Sequence, residues 1–167
     1  MIGRIAAVAL LLVAVTAGGV MYYLQVYGYY DRLPARSAFS VATPHGDVGI
    51  AVTGFEGIDS ESSPIRYRAC FRTDPDAPFP AYEDRPTPLT APGWFSCFDA
   101  ARIGTALEEG AARAVLIEGH VRYGIDRVGA IFPDGRAFAW TQINRCGAAL
   151  FDGNPLPPGC PPPPQDR

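Results

Sequence analysis

Apolar positions run almost unbroken from Ile5 to Tyr30, and Asp31-Arg32 ends the run. A hydrocarbon core of about 30 Å needs about 20 helical residues. Ile5 to Leu24 supplies 20 without a charge, and a helix satisfies its own backbone in lipid. The pattern predicts a transmembrane helix. Tyr22, Tyr23, Tyr27, Tyr29 and Tyr30 crowd its C-terminal end, where ring bodies suit the apolar side of the headgroup region and hydroxyls the wet side. Arg4 is the only charged side chain before the run. The positive-inside tendency then keeps the N-terminus cytoplasmic and exports residues 31–167. The competing reading is a cleaved signal peptide: Arg4, an apolar stretch to Thr16, then small residues through Gly19. Both readings export the domain.

The pattern changes after residue 30. Residues 31–46 read as a polar, Pro- and Ala-containing connector, with the folded domain over 47–152 and a Pro-rich tail over 153–167. Val48–Thr53 reads as a strand. In Ile65–Phe71 the alternation puts Ile65, Tyr67, Ala69 and Phe71 on one face and Arg66, Arg68 and Cys70 on the other, with Arg72 continuing that second row. That predicts a half-buried strand with one polar face. Thr73–Pro92 holds six prolines and reads as an irregular surface excursion. Asp99–Glu109 predicts a short helix, capped by Asp99 and ended by Gly110, with Ile103 and Leu107 facing the core. Arg113–Glu118 is apolar enough for a central strand. Ile125–Phe132 and Arg136–Ile143 flank Pro133-Asp134-Gly135, a hairpin signal. From Cys146 onward no strand or helix pattern is visible. The expected architecture is an α+β domain with an antiparallel-leaning sheet, one short helix and long Pro-rich loops behind an N-terminal transmembrane anchor.

Charge narrows the function classes. Net charge is −3, all 14 basic residues are Arg, and Lys is absent. No basic bias points to nucleic acid, and lysine-based catalysis is excluded. Cys70, Cys97, Cys146 and Cys160 all lie beyond the anchor. An even count in an oxidising compartment predicts two disulfides. Three connectivities are possible; Cys70–Cys97 and Cys146–Cys160 are favoured because each pair is close in sequence and brackets a loop-rich stretch. No two cysteines stand at zinc-knuckle spacing, and only His45 and His120 are available to assist.

The candidate chemistry is sparse. Arg66, Arg68 and Arg72 form the best candidate contact for an anion or a partner, because guanidinium forks grip carboxylates and phosphates. A solvated sheet face paired with nearby acids such as Asp59, Glu61 or Asp99 is the plainer reading. Asp126 and Arg127 are strand neighbours, so their side chains point to opposite faces. His45 and His120 stand at no recognisable nucleophile motif. No phosphate loop, zincin or calcium-loop pattern occurs. The expected catalytic, cofactor and metal residues are therefore none.

Several separated blocks occur in order: MYYLQVYGYYDR, SSPIRYRACF, APGWFSCFDA, YGIDRV, then NRCG with FDG and a Pro-Cys-Pro tail. Together they resemble a family of short membrane-anchored proteins of unknown function from alphaproteobacteria. The resemblance covers nearly the whole chain and all four cysteines, and it implies no activity, substrate or catalytic residue. The expected role is a single-pass inner-membrane protein with the lipid bilayer as one partner. Its periplasmic domain would be a non-enzymatic accessory or interaction module facing a membrane or periplasmic protein. An anion-sensing domain using the arginine face is the alternative. A third is an uncharacterised enzyme, which a pocket joining His120 to Asp126 would favour.

Overall fold

The computed structural model describes residues 2–43 and 46–164. Ile2–Tyr23 forms α1, and the helix continues through a wider π turn over Leu24–Gly28. The whole stretch is long and apolar enough to cross a membrane, a property that signal sequences share. No residue of α1 is buried against the protein. A helix apolar on all sides needs some other apolar medium to cover it.

Eight strands and two further helices follow among the described residues. In chain order they are β1 (Asp31–Arg32), β2 (Ala38–Thr43), β3 (Gly46–Ala51), β4 (Thr53–Asp59), β5 (Arg68–Arg72), α2 (Ala100–Glu108), β6 (Arg113–Arg122), β7 (Ile125–Ile131), β8 (Arg136–Ile143) and α3 (Arg145–Phe151). Six strands make one antiparallel sheet in the order β1-β4-β5-β8-β7-β6, and β2 and β3 pair separately as a hairpin. The α+β architecture with an antiparallel sheet is the one expected.

The sheet is covered on both faces. On one, Tyr67, Ala69, Phe71, Val115, Ile117, Ala137 and Ala139 meet Phe39, Val41 and Ile50 of the β2–β3 hairpin. On the other, Ile58, Val128, Ala130 and Trp140 meet Phe95, Phe98, Ile103 and Ala106. This three-layer arrangement corrects the half-buried reading of β5. Arg68, Ala69, Cys70 and Phe71 are all buried, and only Arg72 is exposed. The second layer is made by α2 and the aromatic segment before it, fastened to β5 by the Cys70–Cys97 disulfide.

The described residues of the connector expected over 31–46 are instead part of the fold. Asp31 and Arg32 pair with Asp59 and Ile58, and Phe39 and Val41 are core residues. Alternation in Phe39-Ser40-Val41 gives the hairpin its apolar face.

The strand predicted to be central, Arg113–Glu118, begins β6 at the sheet edge. Its free side is closed by the proline-rich excursion: Leu116 N donates to Pro80 O at 2.8 Å and Tyr82 N to Ala114 O at 3.2 Å. Proline has no N–H but keeps its carbonyl, so the loop shields the edge without extending the sheet. The same excursion buries Ala77 and Phe79 in the core.

The predicted α2 is present. Asp99 accepts from Arg102 N, and Gly110 ends the helix at φ +71°. α3 was not expected, because the sequence after Cys146 is rich in Gly and Pro. It is nucleated by Asn144, whose side chain accepts from Gly147 N at 2.9 Å. Its first turn packs backbone to backbone on the turn before β7: a Cβ added at Gly147 would lie 2.8 Å from Gly124 Cα.

Candidate functional site

The N-terminal apolar helix does not end in a loose tether. Trp94, on the segment ahead of α2, donates its indole N–H to Val26 O at 2.6 Å. Its ring stacks on Tyr27 at 6.3 Å and meets Tyr30 edge-on at 6.0 Å. The Arg32 guanidinium lies 5.4 Å over the same indole, and Leu33 N donates to Gly57 O at 2.8 Å. One tryptophan therefore joins the π turn, β1 and the second covering layer. Tryptophan suits the place, with a large apolar ring and a single N–H that needs an acceptor when buried.

The three candidate arginines are each engaged separately. Arg66 lies over Tyr30 at 5.3 Å and Tyr29 at 5.6 Å, on the junction side. Arg68 is buried, and its guanidinium donates to four backbone carbonyls. Nε reaches Leu89 O at 2.7 Å, Nη1 reaches Ile65 O and Tyr67 O, and Nη2 reaches Thr90 O at 3.2 Å. Burial lowers its pKa to about 10, so it stays charged at neutral pH. Arg72 is exposed and donates to Asp134 O at 2.7 Å. Arg68 thus pins the proline-rich excursion to β5 rather than offering its donors to solvent.

The cysteines pair as favoured: Cys70 with Cys97 and Cys146 with Cys160. Among the described residues no cysteine is free and no group of His, Cys, Asp and Glu could hold a metal. His45 lies outside the described residues. His120 and Asp126 are brought together in one cleft of about 290 Å³, beside Tyr82, Asp84 and Arg145. Asp126 accepts from His120 N at 2.9 Å, Asn144 Nδ2 at 2.8 Å and Tyr82 Oη at 3.4 Å. The imidazole Nδ1 accepts from Gly124 N at 3.1 Å. Burial and the Asp126 charge push the Tyr82 hydroxyl well above its ordinary range. Gln142 continues the network, donating to Tyr82 Oη and Arg85 O and accepting from Thr87 N and Trp140 Nε1. The pocket that would favour an enzyme is thus present, but its groups are engaged structurally. Asp126 accepts from the backbone N–H of His120 rather than from its ring, and the ring Nδ1 is taken by Gly124 N. Tyr82, Arg85 and Thr87 of the excursion are tied to Gln142 of β8. Asp126 and Arg127 do point to opposite faces: Arg127 lies 4.4 Å over the Tyr67 ring and pairs with Glu118.

A family model described as a family of unknown function, DUF6446, matches residues 40–161. The chain belongs to the DUF6446 family. No curated protein and no solved structure matches it. The DUF6446 segment runs from β2 to just past Cys160, so it contains both disulfides, Trp94 and the Asp126 network. The apolar helix α1, the π turn and β1 precede it.

Nothing in the sequence pattern pairs Trp94 with the N-terminal helix. A Pro-Gly-Trp-Phe return from a long loop signals burial but not against what. Tyr82 and Gln142 carried no signal at all, since their partners lie about 40 to 60 positions away in the DUF6446 chain.

Proposed function

We propose that the chain is a single-pass inner-membrane protein whose DUF6446 domain works in the periplasm as a non-enzymatic accessory or interaction module. The observation that carries this reading is the bond from Trp94 to the Val26 carbonyl, with Tyr27 and Tyr30 packed on the same ring. A domain that only needed export would be served by a flexible linker. A packed junction holds one side of the domain toward the bilayer and presents the rest to neighbours at a fixed height. The two disulfides and the exposed apolar helix support an exported, anchored chain.

The test is crosslinking in native membranes, with mass-spectrometric identification of captured neighbours and of the mature N-terminus. Reproducible capture of one membrane or periplasmic protein by a chain that retains residues 2–28 is the expected result. A mature chain starting near Gly19, or no recurrent neighbour, overturns the reading.

A further inference from the structure

A second cleft, of about 430 Å³, opens on the hairpin-covered face of the sheet, where β1, the end of β4, β6 and β7 come together. Its size is within the range of small-ligand sites, about 300–1,000 Å³. One wall carries Asp31, Asp59 and Glu61, and the other carries Arg122 and Arg127. Among the described residues no ion pair joins the two walls; Arg127 pairs with Glu118, which does not line the cleft. Thr141 lines the base and is 2% exposed.

The floor is unusual for a sheet face. Register places Thr141 opposite Arg127, and Arg127 opposite Glu118, while Thr141 N donates to Tyr67 O. This makes a polar row across four chain segments. Thr141 Oγ1, Arg127 Nε and Tyr67 Oη are all buried without a hydrogen-bond partner. Two of the three, Arg127 and Thr141, line the cleft itself. A buried donor left without a partner is costly, so together they form a pair of donors awaiting an acceptor.

We propose that this cleft binds a small zwitterion in which a primary ammonium and an oxyanion are a few bonds apart. The ammonium donates to Asp31 and Asp59. The oxyanion accepts from Arg122, from Arg127 and from the Thr141 hydroxyl. Two sources share this chemistry: a free amino acid and the phosphoethanolamine headgroup of a lipid. The second is within reach, because Asp31 stands three residues past Gly28, at most about 10 Å of chain. The proposal goes beyond the anchored-module reading and does not need the anchor to be retained.

The experiment uses the full chain in non-ionic detergent, titrated calorimetrically with glycine, O-phosphoethanolamine and phosphocholine. Native mass spectrometry of mixed micelles compares phosphatidylethanolamine with phosphatidylcholine. The variants are Asp59→Asn, which keeps an acceptor for Ser60 N, and Thr141→Val, which exchanges a hydroxyl for a methyl. Saturable binding of glycine or O-phosphoethanolamine is expected. Phosphocholine should bind at least about tenfold more weakly, since its quaternary nitrogen donates no hydrogen bond. Each variant should weaken binding about tenfold. Thr141→Val should melt no lower than the parent, because its lost hydroxyl had no partner. Glycine binding assigns the free source; retention of phosphatidylethanolamine over phosphatidylcholine assigns the headgroup. No saturable binding of any probe, or equal binding in parent and both variants, overturns the site and leaves a cleft filled by ordered water only.

Discussion

Trp94 Nε1 lies 2.6 Å from the carbonyl oxygen of Val26, a residue 68 positions earlier in the chain. The bond crosses from the covering layer of the folded domain to the last turn of the N-terminal helix. Trp94→Phe keeps most of the ring and removes the donor. The Val26 carbonyl then loses its indole partner, at about 1 kcal/mol. Amides of Tyr29 and Tyr30, which bond to Leu24 O and Tyr27 O, should exchange about fivefold faster by hydrogen-exchange mass spectrometry. Unchanged exchange would show that the junction is held by ring packing alone.

Arg68 and Arg72 separate a structural arginine from a surface one. Arg68→Met strands the Leu89 and Thr90 carbonyls and should cost about 3 kcal/mol in a urea melt. Arg72→Gln removes one exposed bond to Asp134 O and should cost less than about 1 kcal/mol. Equal effects would mean that Arg68 is not the pin of the proline-rich excursion.

Gly147 has no room for a side chain. A Cβ there would lie 2.8 Å from Gly124 Cα and Gly124 C, atoms that cannot swing aside. Gly147→Ala should destabilise the domain by about 3 kcal/mol or more. Gly104, on the open side of α2 with nothing within 4 Å of its Cβ position, is the control: Gly104→Ala should stabilise by about 0.5–1 kcal/mol. Melting curves for the two variants should therefore move in opposite directions.

Burial pushes the Tyr67 hydroxyl up to about 12, against a pull from Arg127 in the other direction. An unfolded tyrosine titrates near about 10, so the folded state holds this proton more tightly. The resulting stability is complete below about pH 10 and is lost as pH rises through about 12. Comparing the parent with Tyr67→Phe at about pH 9 and about pH 11.5, the parent should lose about 2 kcal/mol more than the variant. Parallel losses would place the Tyr67 hydroxyl in water.

The proline-rich excursion shows where sequence reading stopped. Its prolines excluded regular structure, and none of 73–92 is helix or paired strand beyond the Ala81–Val115 bridge. Its role as a cover for β6 was invisible, because backbone bonds to Pro80 O and Ala114 O depend on which strand lies at the edge, not on side-chain pattern. The arginine row failed for a related reason. Alternation put Arg68 on a second face, but whether that face meets water or another layer depends on the distant aromatics Phe95 and Phe98.

Local chemistry was sufficient for the long apolar N-terminal helix, for α2 with its Asp99 cap and Gly110 stop, and for the β7–β8 hairpin. Each is specified by residues within one or two turns of one another. Sequence spacing favoured Cys70–Cys97 and Cys146–Cys160 but left three connectivities open, and the structure decided among them. Only the tertiary structure decided that residues 31–43 belong to the sheet and hairpin, that β6 is an edge, and that Trp94 grips Val26. It alone assembled Asp31, Asp59, Arg127 and Thr141 around one cleft. Those are contacts between residues tens of positions apart, and their free energy comes from burying surfaces that no local pattern pairs in advance.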